Sequence, residues 1–133
     1  NKMKKIQGYI FSRPFMDERA PQHIQNIIIR EFCKKKNLHY NLSAVEYAMD
    51  NCYKTLYQII SELKNLDGIV AYSLFQLPFD DEERCKVLKK MLKKRKSFYF
   101  ALEDLKLSNL DDLMKIENIW MVKKALPFCL KKI

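Results

Sequence analysis

The run Ile69-Val70-Ala71-Tyr72-Ser73-Leu74 narrows most sharply what this chain can become. Only Ser73 interrupts it, and the apolar side chains do not alternate with polar ones. A strand that is apolar on both faces suits the centre of a parallel sheet, covered above and below. The turn signal Asn65-Leu66-Asp67-Gly68 opens the run, and Pro78 breaks the chain four residues beyond Leu74. Such a strand obliges the rest of the chain to supply flanking strands and enough helix to cover two faces.

The remaining sequence offers both. Residues 5–11 read as a first strand, and Pro21 sits where the first turn of a helix tolerates proline. Ile24, Ile27, Ile28 and Phe32 then recur at helical spacing, and Lys34-Lys35-Lys36-Asn37 closes that helix. Residues 38–45 form a second strand. After Glu46-Tyr47, the positions Met49, Cys52, Leu56, Ile59, Ile60 and Leu63 trace the apolar face of a second helix. Asp80 with Glu83 makes a capping box for a third helix carrying Cys85, Leu88, Met91 and Leu92. A fourth strand over residues 97–102 ends at Glu103-Asp104. Ser108 with Asp111 starts a last helical section, expected to break near Asn118 and again at Pro127.

Strands joined by single amphipathic helices are βαβ units, and right-handed crossovers merge them into one sheet. The expected fold is α/β: a small three-layer αβα sandwich around a mostly parallel four-stranded sheet. One domain spans 1–133, with its core in 5–104 and a carboxyl-terminal helical section in 108–131. At 133 residues and 48% hydrophobic, the chain is large enough to bury a single core.

Composition removes several classes. No apolar run approaches the roughly 20 residues needed to cross a bilayer, and Asn1-Lys2-Met3-Lys4-Lys5 leads into a strand, so a cytoplasmic protein is expected. Cys33, Cys52, Cys85 and Cys129 fall singly, with no CxxC and no histidine at a ligand spacing. They read as buried free thiols, with no metal site and no cofactor named by the residues. The formal charge of +9 comes from lysine clusters at 34–36, 89–90, 93–96, 123–124 and 131–132. These read as a solvated surface or, more sharply, as attraction to a phosphorylated substrate, a polyanion or an anionic membrane. The clusters are spread over several helices with no aromatic-lined basic face, which argues against a specific nucleic-acid partner.

Open parallel sheets place their ligands at the carboxyl ends of the strands. Here that edge carries Ser12 and Arg13, Glu46 and Tyr47, Ser73 and Gln76, then Glu103 and Asp104. The first helix adds Gln22 and His23 beside free backbone N–H groups. Glu46, Glu103 and His23 are the candidate acid–base groups, and Ser12, Arg13, Gln22, Tyr47, Ser73 and Gln76 the candidate substrate-binding groups. Each has a plainer role beside it. Arg13 pairs with Asp17 or Glu46, Glu46 caps the second helix, Ser12 shapes a turn, Ser73 hides in its strand, His23 stays on the surface, and Glu103-Asp104 is a solvated strand end. Trp120, Phe15, Phe75 and Phe79 read as core or rim packing rather than a stacking platform.

Four blocks carry a resemblance: Gly8-Tyr9-Ile10-Phe11-Ser12-Arg13-Pro14-Phe15-Met16, Pro21-Gln22-His23-Ile24-Gln25-Asn26, Ser43-Ala44-Val45-Glu46-Tyr47-Ala48-Met49, and Asp67 through Pro78. In order and in content they resemble the bacterial "sporadic carbohydrate cluster" proteins. That resemblance implies a small cytoplasmic protein of O-antigen, capsule or related surface-glycan biosynthesis, without naming a reaction. The expected ligand is a sugar phosphate or nucleotide sugar, bound and open to modification at the strand ends. The expected partners are surface-glycan biosynthesis enzymes, with a homo-oligomer left open. Two alternatives stand: a non-catalytic partner of a glycosyltransferase or sugar-modifying enzyme, and an N-glycosidase or deoxyribosyltransferase-like enzyme with Glu46 or Glu103 as nucleophile.

In fold, the succession of strands and helices is similar to the catalytic domain of serine recombinases. Those enzymes place Arg before Ser, two residues apart, on the first strand, whereas Ser12 precedes Arg13 here. They also carry two arginines after the third strand, where this chain has Phe75, Gln76 and Pro78. The resemblance therefore implies a resolvase-like fold without recombination chemistry.

Overall fold

The computed structural model of the protein describes residues 3–131, with side chains as far as residue 126. Cys129 and the side chains of Lys131 and Lys132, all named from the sequence, lie outside the described residues. The first strand, β1, is Lys5–Phe11; α1 is Gln22–Lys35; β2 is His39–Glu46; α2 is Lys54–Ser61; β3 is Gly68–Ala71; α3 is Asp81–Lys93; β4 is Ser97–Phe100. A short β5, Leu105–Leu107, precedes the long α4, Leu110–Lys131. Single 3-10 turns sit at Leu63–Asn65 and Leu74–Gln76.

The sheet runs in the order β2-β1-β3-β4-β5, with β1 to β4 parallel and β5 antiparallel to β4. The α/β class and the parallel core agree with expectation, but the sheet has five strands rather than four. The fifth was hidden by its brevity: Leu-Lys-Leu is too short for alternation to register against a helix start. A turn over residues 101–104, with Asp104 in the left-handed region at φ 55°, sends β5 back along β4. The expected fourth strand is correspondingly shorter, and Leu102 is exposed in that turn.

Register fixes the two faces. Gly8, Val70 and Tyr99 are successive partners, and Tyr99 meets Phe32 of α1 edge to face. Tyr9, Ala71 and Phe100 are partners on the opposite face, which α2 and α3 cover; Lys94 Nζ, just past α3, donates to the Ile60 carbonyl of α2 at 2.8 Å. Both glycines of the chain are packing requirements. A Cβ on Gly8 would lie 2.5 Å from the Tyr40 ring, and one on Gly68 would lie 2.2 Å from the Ser97 carbonyl oxygen.

Several helix boundaries follow from caps. Asp80 Oδ2 accepts from Glu83 N–H at 2.9 Å at the start of α3, as the sequence suggested. Asn109 Oδ1 accepts from Asp112 N–H, and the Asp112 carboxylate takes the Ser108 N–H and hydroxyl, which together start α4. That helix continues past Asn118 and Pro127 without the expected breaks. The second helix is shorter than expected: Met49 and Cys52 lie in the loop ahead of it, and Met49 is exposed. In α1 the inward face is Gln25, Ile29, Phe32 and Cys33; of the expected row, Phe32 is buried and Ile28 packs partly buried against the core, while Ile24 and Ile27 are exposed. Cys33 is buried, with burial pushing its thiol up to about 11, while Cys52 and Cys85 are only partly buried. Among the described residues, no helix is long and apolar enough to cross a membrane.

Candidate functional site

At the carboxyl end of β1 the chain leaves the sheet through Ser12-Arg13-Pro14. It then reverses in a two-residue turn closed by Phe15 N–H to Glu18 O at 2.9 Å and Glu18 N–H to Phe15 O at 2.8 Å. Met16 and Asp17 hold the turn at φ 48° and 63°. Two left-handed residues give the primed turn geometry, which usually recruits Gly or Asn, so an unbranched Met there carries backbone strain. From the other side, the loop between β2 and α2 brings Asp50, Asn51 at φ 58° and Tyr53. These loops and the chain after β3 enclose a pocket of about 260 Å³, lined by Phe11, Arg13, Pro14, Phe15, Met16, Asp50, Asn51, Tyr53, Phe75, Leu77, Phe79 and Trp120.

Among the described residues Arg13 is the one cationic side chain in that lining, with Lys123 and Lys124 over the rings of Phe75 and Phe79. Its guanidinium lies 4.2 Å from the Phe11 ring centre and 5.2 Å from that of Tyr53, and only 9% of the residue is exposed. One nitrogen, Nη1, donates to the Tyr47 carbonyl at 2.6 Å. Among the described residues no carboxylate lies within 4 Å of Arg13, so neither Asp17 nor Glu46 pairs with it. A guanidinium has five N–H donors, and a buried cation ordinarily has a counter-ion. Here the ring faces of Phe11 and Tyr53 stabilise the charge in part, and the pocket borders the rest.

The walls are held by two groups of polar contacts. Glu46 is 1% exposed. Its carboxylate accepts from Tyr9 Oη at 2.7 Å, from Tyr47 and Thr55 N–H at 3.0 Å each, and from Leu56 N–H at 3.1 Å. It is thus the anionic cap that α2 lacks locally, since Tyr53 offers no side-chain cap. Burial, with the neighbouring carboxylate, raises the Tyr9 pKa and keeps the phenol a donor.

The second group centres on Gln25, wholly buried in α1. Its Oε1 accepts from Phe11 N–H at 3.0 Å and from Gln76 Nε2 at 2.7 Å, while its Nε2 donates to the carbonyls of Phe11 and Ala20 at 2.8 Å. Gln76 Oε1 accepts from Ser73 N–H, and Ser73 Oγ donates to Glu103 Oε2 at 2.7 Å. Glu103 Oε1 takes Leu74 N–H at 2.9 Å. Burial raises the Glu103 carboxyl above its ordinary range, against the opposing effect of those donors. Ser73, placed in the strand by the sequence pattern, instead caps the turn Leu74–Gln76.

The structure therefore gathers the expected residues into separate places. Ser73 and Gln76, both buried, join the partly buried Glu103 in one network, Glu46 sits behind the pocket, and Arg13 lines it. Ser12 is exposed, its hydroxyl donating to the Glu46 carbonyl at 3.2 Å. Gln22, His23 and Tyr47 are exposed, and none of them lines the pocket. Sequence reasoning missed Gln25, Tyr53 and Arg84. A signal for Gln25 existed: Gln25, Ile29, Phe32 and Cys33 share helical spacing, and a polar residue on that row must meet buried partners. Trp120, expected to pack, is 1% exposed and also lines the pocket, its Nε1 donating to the Leu74 carbonyl at 3.2 Å.

No family model matches this chain, and no curated protein matches it in sequence. Solved structures do. The N-terminal catalytic domain of TP901-1 integrase superposes with a TM-score of 0.61 at 12% identity, covering 95% of this chain and 97% of that one. A resolvase family site-specific recombinase from Streptococcus pneumoniae superposes with a TM-score of 0.56 at 11% identity, covering 96% and 97%. The fold is therefore resolvase-like, as the strand and helix order suggested, and at this identity the likeness is one of fold alone.

Proposed function

We propose that the protein binds a phosphorylated or nucleotide-activated sugar in the pocket at the carboxyl edge of the sheet, with Arg13 holding its anionic group. The observation that carries this reading is the buried Arg13 guanidinium with no carboxylate within 4 Å among the described residues, in a pocket lined otherwise by aromatic and apolar side chains, Asn51 and the carboxylate of Asp50. A phosphate supplies the missing charge and accepts a forked pair of N–H donors. The exposed ring of Phe79 and the partly exposed ring of Phe75, with Lys124 and Lys123 over them at 4.1 and 5.3 Å, border the pocket where a sugar or base would lie, and Asp50 and Asn51 suit its hydroxyls. The resemblance of four sequence blocks to carbohydrate-cluster proteins supports a sugar as the rest of the ligand and surface-glycan biosynthesis as its setting. Binding, rather than a stated reaction, is the content of the proposal: Glu46, Glu103 and His23 do not line the pocket.

The test is a thermal-shift screen against sugar phosphates, nucleotide sugars and plain nucleotides, with Arg13→Met beside the wild type. A ligand present at about 100 times its dissociation constant stabilises the native state by about 2.7 kcal/mol. A shift in the wild type that is absent from Arg13→Met supports the proposal. Absence of any shift across all three classes, or an equal shift in both proteins, overturns it.

A further inference from the structure

Of the sequence's lysine clusters, Lys123 and Lys124 lie over the pocket's Phe75 and Phe79 rings, and the topology explains where those at 34–36, 89–90 and 93–96 go. Parallel strands begin on one edge of the sheet, at Lys5, His39, Gly68 and Ser97, and the intervening helices end on that same edge. It lies at the opposite end of the strands from the pocket. Lys34 and Lys35 stand in the last turn of α1, Lys64 in the turn before β3, and Lys90, Lys93 and Arg95 at the end of α3. All six are exposed, and none lies within 4 Å of a carboxylate among the described residues. Other lysines nearby are already engaged: Lys36 pairs with Asp104 at 3.1 Å, and Lys94 and Lys96 donate to the carbonyls of Ile60 and Leu66.

The compensating charges are few. Each helix carboxyl end contributes about half a negative charge, so three ends offset only one or two of the six cations. Glu62 and Asp67 lie on this edge, with Glu31 one turn further in, and Asp67 Oδ2 accepts the Lys5 N–H at 2.7 Å. At the other edge Asp17, Glu18, Asp50, Asp80, Asp81 and Glu82 follow the strand ends or open a helix. The acidic residues therefore concentrate at the pocket end, where Lys123 pairs with Glu18 and Arg84 and Lys124 pair with Asp81, whereas the six cations where the strands begin have no carboxylate partner among the described residues.

We propose that this basic edge docks on an anionic lipid surface, with the pocket turned away from the bilayer. The cations sit on the ends of separate helices, which suits a broad charged surface rather than a groove. Five of the six are lysines, compact point charges without the planar fork that reads bases, and none of the six stands beside an exposed Phe or Trp on which bases could stack. Val87, Leu88 and Met91 of α3 are buried in the core, so that helix has no apolar face to insert and the contact is electrostatic.

Co-sedimentation of the full chain with vesicles tests this, using phosphatidylcholine alone and phosphatidylcholine mixed with phosphatidylglycerol. The expected result is pelleting with the mixed vesicles only, abolished at about 1 M salt, where charges are screened within roughly 3 Å. Each cation removed should lower partitioning about fivefold, so Lys90→Gln/Lys93→Gln/Arg95→Gln should lose on the order of 100-fold or more while melting like the wild type. A charge-reversed Lys34→Glu/Lys35→Glu variant should lose it from the α1 side. Absence of pelleting with mixed vesicles overturns the proposal, as does unchanged pelleting of both folded variants, or tighter binding to duplex DNA than to the vesicles at equal salt.

Discussion

Two buried arginines stack on aromatic rings in this protein, and they have opposite surroundings. Arg84, in α3, lies 4.2 Å from the Trp120 ring and is 1% exposed. Its Nε and Nη2 donate to Glu117 at 2.7 and 2.8 Å, Nη2 also to Asp81 at 2.7 Å, and Nη1 to the carbonyls of Pro78 and Phe79 at 3.1 Å. Its donors are committed to α3, α4 and the loop between β3 and α3. Arg13 is equally far from its Phe11 ring but has one carbonyl and no carboxylate. Both are buried, and the set of partners separates a clamp between elements from a group open to a ligand. Burial alone does not.

The comparison is broken most forcefully at Arg84. Arg84→Ala leaves Glu117 beside a cavity without its cation and should cost about 3–5 kcal/mol in urea unfolding. A loss below about 1 kcal/mol would show that the clamp is not what joins α3 to α4.

Gln25 offers the next largest effect. Gln25→Leu leaves the Phe11 N–H and the side chain of Gln76 without their acceptor and two carbonyls without a donor, at a cost of about 2–3 kcal/mol by the same measurement. It should weaken ligand binding less than Arg13→Met does, because Gln25 does not line the pocket.

Arg13→Met should change stability by less than about 1 kcal/mol, since the loss of one hydrogen bond is set against removal of a buried unpaired charge. A loss as large as that of Arg84→Ala would mean Arg13 is structural.

The smallest effect is a pH dependence. Burial raises the folded Glu103 pKa above its unfolded value, so the native state holds this proton more tightly. The resulting stabilisation is full below the unfolded value of about 4.3 and fades as pH rises through the higher folded value. Relative to Glu103→Gln, the wild type should therefore gain stability as pH falls from about 7 towards 4. A relative loss over that range would contradict the assigned direction.

Much of the fold was legible in local signals. The strand at residues 69–71 is apolar on both faces because helices cover both, and Asp80 with Glu83 marked the start of α3 correctly. The hidden parts depend on contacts distant in sequence. Glu46 does cap α2, one of the two roles its position suggested, but from eight positions before Lys54, so the helix was expected to begin too early, at Met49. The inward row of α1 includes Gln25, whose partners are Phe11, Ala20 and Gln76, and a reading by hydrophobicity therefore passed over it and took the exposed Ile24 and Ile27 along with the inward Phe32. The strand-end rule led to the edge where the pocket lies and to Arg13 in its lining, but which polar groups face the pocket and which satisfy one another depends on three-dimensional pairing. Ser73, Gln76 and Glu103 looked like ligand groups because their partners, 3 to 51 residues away, are invisible to spacing.

The central claim is that Arg13 takes its counter-ion from a ligand while Arg84 already has its own. Arginine side-chain NMR tests it directly, by following both Nε–H signals while each sugar phosphate and nucleotide sugar is titrated into the protein. The account expects the Arg13 signal to move and saturate with at least one of them, with Arg84 unmoved. An Arg13 signal that stays fixed throughout, or that moves no more than that of Arg84, would contradict it.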